Sequence, residues 1–176
     1  SMFSLHSSGR IKHILITKDF KGIILRIKYN LLNNFFGFFS LRDQKEKEIG
    51  YQLFNLYAFS IMKALDSSLP ILSDKLKKAI SYSFSSEFLN LLNKNNPLNK
   101  YAYPYNAPGF ELPVIFSEFK DLVPHHVKSV YATIENQIEW TYNFKKSKFD
   151  RNTNDSDTLN ARFYEFLRYV NLKEAV

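Results

Sequence analysis

Tyr101, Tyr103, Tyr105, Phe110 and Glu111 fall close together in NNPLNKYAYPYNAPGFELP, residues 95–113. On an extended backbone the alternating tyrosines would present their rings to one side. Exposed rings beside a carboxylate suit a sugar or another small molecule, because apolar faces stack and hydroxyls hydrogen-bond. The competing reading has the rings covering the ends of a helical core. Pro108-Gly109 is a pair that a type II turn takes, with proline fixing φ and glycine accepting a positive φ. A connection this long without periodicity is usually functional or disordered, and its aromatic content argues against disorder.

Other candidates are single residues. On a helical wheel Glu87 falls between Leu76, Ile80, Phe84 and Leu91. Desolvation there would raise its pKa and suit it to general acid or base work. A hydrogen bond to a neighbouring side chain, or a helix end reaching water, is the plainer account. His125 and His126 are adjacent, so on a helix they diverge and cannot chelate one metal as an i, i+4 pair can. His125 could still act with Glu111 or Glu118 if the fold joins them. Asp150, Asn152 and Asn154 begin like a calcium loop, but Asp155 stands where glycine is needed and Ala161 where the bidentate glutamate belongs. The expectation is therefore no metal and no cofactor, with Asp155, Ser156 and Asp157 capping a helix. Trp140 sits opposite its helix's apolar stripe, either against another layer or in a patch for a partner. No residue pattern names a reaction, so enzyme and binding module both stay open.

Composition narrows the partners. Lys+Arg 24 against Asp+Glu 17 gives a formal charge of +7, which favours an acidic partner. The basic residues cluster near the start (Arg10, Lys12, Lys18, Lys21, Arg26, Lys28) and again at Lys145, Lys146, Lys148 and Arg151. Such clusters are ordinarily solvated surface. Without an RNA-binding aromatic motif they argue only weakly for nucleic acid. The absence of cysteine excludes disulfides, thiolate chemistry and cysteine-held metals. No apolar run is long enough to span a membrane and no signal peptide is visible, so a cytoplasmic location is expected. Ser1 before Met2 looks like a tag remnant, which leaves room for a longer parent chain.

The elements that must position these residues read as helices. Phe3–His6 and Ile11–Ile16 flank Ser7-Ser8-Gly9-Arg10 and predict a small N-terminal β-hairpin. Phe20, Ile24, Ile27, Leu31, Phe35 and Phe38 form one face of a helix over residues 18–39. Asp43 would cap the next, with stripes Ile49, Leu53, Leu56, Ser60, Ala64 and Phe54, Ile61, Leu65. Ser73 would cap a third running to about Asn93. Pro113 and Pro124 suit helix starts. Val127, Val130, Tyr131, Ile134, Ile138 and Tyr142 mark a fourth long helix, and Leu159, Phe163, Phe166 and Val170 a fifth. Residues 1–176 thus read as one all-α domain of stacked or orthogonal helical hairpins around a Phe/Leu/Ile core.

Two passages resemble the α/α-toroid proteins, helical-hairpin rings that include sugar epimerases and several glycosidase and lyase families. They are the stretch from Ser73 through YPYNAPGFELP to Phe119, and NTNDSDTLNARFYEFLRY, Asn152 to Tyr169. The resemblance implies a rim of loops bearing aromatic and acidic residues around a sugar cleft, and assigns no family catalytic residue to a position here. A complete ring needs more helices than this chain provides, so it also implies a fragment or a different stacking. The resulting expectation is a helical domain that handles a carbohydrate or other small molecule through Tyr101, Tyr103, Tyr105, Phe110 and Glu111. Glu87, Glu111 and His125 are its candidate proton-transfer groups. The alternative is a non-enzymatic interaction protein, such as a bacterial immunity or antitoxin-like protein, that binds an acidic protein partner.

Overall fold

The computed structural model describes the backbone of residues 3–12, 20–68, 70–92 and 100–169, and side chains over 3–12, 43–68, 70–92 and 100–168. The fold is all-α. In chain order come α1 (Phe20–Leu65), α2 (Asp74–Ser83), α3 (Ser86–Leu92), α4 (Pro108–Phe119) and a 3-10 turn (Lys120–Leu122). They are followed by α5 (Val127–Thr141), strands β1 (Tyr142–Asn143) and β2 (Lys148–Phe149), and α6 (Ser156–Tyr169). The strands pair antiparallel with Tyr142 opposite Phe149. At the N-terminus Leu5 bridges Ile11 around a turn whose Gly9 has φ +107°, so the expected turn and its first pairing are present, while residues 13–16 of the expected second strand lie outside the described residues. Among the described residues no helix is long and apolar enough to cross a membrane.

Helix α4 is the central element. Every residue from Pro108 to Phe116 is buried, as suits a helix that is apolar all round. It packs chiefly between α1 and α5, with α6 against its first turns. The main core joins Ile49, Leu53 and Leu56 of α1 to Leu76 and Ile80 of α2, Phe88 of α3, and Leu112, Ile115 and Phe116 of α4. A smaller cluster gathers Phe149 and Leu159 around Phe110, with Phe163 and Phe166 beside them. Buried amides tie these layers together. Gln52 accepts from the Ile11 amide at 2.7 Å and donates to Ser83 Oγ at 3.1 Å. Gln137 accepts from the Gly109 amide at 3.1 Å.

Several boundaries differ from the sequence expectation. The first two expected helices are one, 46 residues long. Nothing between Phe39 and Asp43 ends a helix, since the stretch lacks both proline and a C-terminal glycine. Asp43 therefore sits inside α1 and caps nothing, and the Phe20–Phe38 stripe lies outside the described side chains. The expected helix from Ser73 to Asn93 is two. Ser73 caps α2, accepting from Leu76 N at 3.3 Å, and Ser85 restarts the chain by accepting from Phe88 N at 3.2 Å. Pro108 and Gly109 open α4 rather than forming a turn, proline being well suited to the first helical position. Pro113 consequently falls inside α4. Pro124 precedes the start of α5 by three residues, and α5 buries a polar row, Thr133, Gln137 and Thr141, while Tyr131 is exposed. Asp155 caps α6 as expected, accepting from Thr158 N at 2.9 Å.

Candidate functional site

Glu111 lies in the first turn of α4 and is 1% exposed. It faces Arg162 of α6, whose Nε is 3.6 Å from Glu111 Oε1. The other carboxylate oxygen, Oε2, has no hydrogen-bond partner among the described residues, nor has Arg162 Nε. The guanidinium is shared: its Nη1 donates to Glu165 Oε2, three residues along the same helix, at 2.7 Å. Beneath it lie the rings of Tyr57, 4.0 Å from the guanidinium carbon to the ring centroid, and Phe54, at 5.5 Å. The Tyr57 hydroxyl donates to the same Glu165 oxygen at 2.6 Å. A buried carboxylate, a stacked arginine, a second carboxylate and a phenol thus form one connected group across α1, α4 and α6.

Burial pushes the Glu111 carboxyl up to about 7, although the Arg162 charge pulls the other way. Loss of hydration therefore outweighs an ion pair that is too long for a hydrogen bond. Burial also works against the charge of Glu165, but hydrogen bonds from Tyr57 and Arg162 hold it below its ordinary range. For Arg162, burial is outweighed by Glu165 and Glu111, so the guanidinium stays charged. Two carboxylates on one arginine are thus driven apart. One remains ionised, and the other exchanges its proton near neutrality, which is the separation that acid–base chemistry uses.

An aromatic face continues from this group along α1. Phe54 meets Tyr51 edge-on at 5.9 Å, and Tyr51 lies 5.9 Å from Tyr105 and 6.4 Å from Tyr101. Phe54 is 38% and Tyr105 45% exposed, so part of each ring is open to solvent. At the far end Tyr101 donates to Asp43 at 2.9 Å, and Lys100 pairs with Asp43 and Glu46 at 2.9 Å each. Asn106 fixes the loop, donating to the carbonyls of Gly50 at 3.1 Å and Tyr101 at 2.5 Å. Because both acceptors are backbone groups at a buried seam, Asn106→Ala is expected to cost about 1–3 kcal/mol. The lowered midpoint should be seen in urea unfolding.

The structure therefore brings Tyr101 and Tyr105 onto one aromatic face, joined through Phe54 and Arg162 to the buried Glu111, and separates the other candidates from it. Tyr103 turns into the main core and is 2% exposed, because residues 100–106 coil in successive turns instead of extending. Phe110 is fully buried in the second cluster, stacked on Phe166 at 5.7 Å. Glu87 is exposed on α3, since the break at Ser85 rotates it off the face that a continuous helix would have given it. His125 is exposed beyond the opposite end of α4, a helix about 18 Å long, while His126 packs on Phe84 at 5.4 Å. Trp140 packs half-buried against the main core. Asp150 is bound by Asn143 at 2.8 Å and Lys146 at 3.1 Å. Among the described residues no cluster could hold a metal ion.

Tyr51, Phe54, Tyr57, Arg162 and Glu165 are the site residues that sequence reasoning missed. The only signals were the second apolar stripe of α1 and the three-residue spacing of Arg162 and Glu165. No family model matches the sequence, and no solved structure matches it. Over 130 residues, 73% of its length, the chain is 33% identical to a curated protein, the archaeal glycosylation protein Q of Haloferax volcanii. The match spans about a third of that protein's length (33%), so the likeness concerns a portion of it.

Proposed function

We propose that this chain handles a carbohydrate on the face formed by Tyr51, Phe54 and Tyr105, with Arg162 and Glu165 meeting sugar hydroxyls. Glu111 is the proton-transfer group of that site. The observation that carries this reading is the buried Glu111 carboxylate, poised near neutral pH and linked through Arg162 to an exposed aromatic row. Sugars present apolar C–H faces and ringed hydroxyls, which is what such a row and a half-used guanidinium can meet. The likeness to an archaeal glycosylation protein supports the same class of ligand, as does the resemblance to helical-hairpin sugar enzymes. Glu111 lies under Arg162, so proton exchange with a bound sugar requires the guanidinium to shift toward Glu165, which already holds it. His125 and Glu87, remote from this face, have no part in it.

Titrating a panel of mono- and oligosaccharides against the chain, followed by NMR shifts of the tyrosine rings, tests the proposal. At least one glycan is expected to saturate and to perturb Tyr51 and Tyr105. Tyr51→Ala should weaken it about fivefold, since a stacked ring contributes on the order of 1 kcal/mol. Glu111→Gln should leave that affinity within about threefold, because the carboxylate is covered. If no glycan in the panel binds the unaltered chain, the reading fails.

A further inference from the structure

The β1–β2 hairpin is built as a stem that carries one ring outward. From the second core cluster the rings run Phe110 to Phe149 at 5.1 Å, Phe149 to Tyr142 at 4.9 Å, and Tyr142 to Phe144 at 4.9 Å. Phe149 is buried, whereas Phe144, at the turn, is 75% exposed. Asn143 stiffens the turn: its side-chain oxygen accepts from the Lys145 amide at 3.1 Å and the Lys146 amide at 3.3 Å. Ser147 completes it in the left-handed region, φ 50°. Lys145 and Lys146 follow Phe144 in the turn, Lys148 lies in β2 and Arg151 just beyond it, and all four are exposed. With Asp150 as the sole acid of residues 142–151, four cations less one anion leave a net +3. Asp150 pairs with the ammonium groups of Lys146 at 3.1 Å and Lys148 at 3.4 Å, and the net positive charge of the hairpin remains.

A lone exposed phenylalanine needs no account. One held at the apex of a hydrogen-bonded turn, on a hairpin that also carries four exposed cations, sets two complementary chemistries side by side. We propose that this tip docks the protein on an anionic lipid surface, with Phe144 entering the boundary between headgroups and acyl chains and the lysines pairing with lipid phosphates. Basic side chains next to an anionic membrane each contribute, and an inserted ring adds the apolar part. A nucleic acid would instead be met by a groove or a stacking platform, and a narrow turn with a single ring, closed edge-on by Tyr142, is neither.

Sedimentation of the chain with vesicles decides it. Binding is expected to vesicles of phosphatidylcholine with about a third phosphatidylglycerol, and to weaken as salt shortens the screening length. Phosphatidylcholine alone should bind little. Phe144→Ser should weaken binding at least about tenfold, and Lys145→Gln/Lys146→Gln/Lys148→Gln about a hundredfold. All these positions are exposed, so unchanged circular dichroism and melting should accompany the losses. Failure to bind the anionic vesicles, or equal binding by Phe144→Ser, overturns the proposal. So does tighter binding to duplex DNA that needs the lysines but not the ring, which would assign the patch to nucleic acid.

Discussion

Glu111→Gln is expected to stabilise the fold at neutral and alkaline pH and to flatten its pH dependence. In the folded chain the Glu111 carboxyl is raised from 4.5 to about 7, chiefly by burial. Between those values the folded state holds a proton that the unfolded chain releases. Stability therefore falls as pH rises through that window, with no penalty below it and the full penalty above about 7. The shift corresponds to about 3 kcal/mol, each unit being worth about 1.4. Glutamine keeps the shape and removes the charge, but its amide nitrogen needs an acceptor beside Arg162, which offsets part of the gain. A net stabilisation of about 1–2 kcal/mol at pH 8 is the expected outcome. Asp43 and Glu165, whose pKa values are lowered, act in the opposite sense but below pH 5. Urea unfolding at pH 5 and pH 8 thus isolates Glu111: the unaltered chain should lose stability between the two and the variant should not. Equal slopes would show that Glu111 is not held in the buried state described. A carboxylate that destabilises its own fold is what the proposed proton-transfer role predicts, because stability and activity then pull apart at one residue.

The helices were legible in their apolar stripes. Leu76 and Ile80 behind Ser73 gave α2, and Ile49, Leu53 and Leu56 gave the buried face of α1. Ser7-Ser8-Gly9-Arg10 marked the N-terminal turn, because Gly9 supplies the positive φ it needs. Legibility ended where two local rules compete. Pro108-Gly109 fits both a type II turn and the first turn of a helix, and only the packing of α4 against α5 selects the second. Asp43 is both a capping residue and a tolerable helix residue, and the absence of a terminator before it decides for one long α1. Tyr101, Tyr103 and Tyr105 alternate in sequence, yet the chain coils there, so their common face was an assumption about backbone. Glu111 was visible as an acid beside aromatics, but its burial depends on α4 being enclosed on all sides. Its partner Arg162 lies far along the sequence, and Tyr57 and Phe54 come from yet another helix. No local pattern encodes such a meeting.

Gly50→Ala should destabilise the protein and disorganise the aromatic face together. A methyl group in mid-helix ordinarily helps, by about 1 kcal/mol over glycine, so packing must reverse the sign. It does so because α1 passes directly under the 100–107 loop. A Cβ built on Gly50 would meet Tyr101 Cβ and lie 2.5 Å from both the carbonyl carbon and the carbonyl oxygen of Tyr101. The obstacle is mostly backbone, which has no rotamer to change. The same seam carries the Asn106 bonds to the Gly50 and Tyr101 carbonyls, so lifting the loop stretches both. Overpacking of this kind costs roughly 1–3 kcal/mol, occasionally more, and the strained hydrogen bonds add about 1 kcal/mol. The net expected loss is about 2 kcal/mol, read as a lower urea midpoint. The second readout is specific to the site: Tyr101 should move away from Tyr51, altering the ring resonances of both, while Tyr57 stays on Arg162. A midpoint that rises instead, with Tyr101 and Tyr51 resonances unchanged, would mean that α1 does not run against the loop. The face joining Tyr105 to Glu111 would then lose the contact that holds its two halves in register.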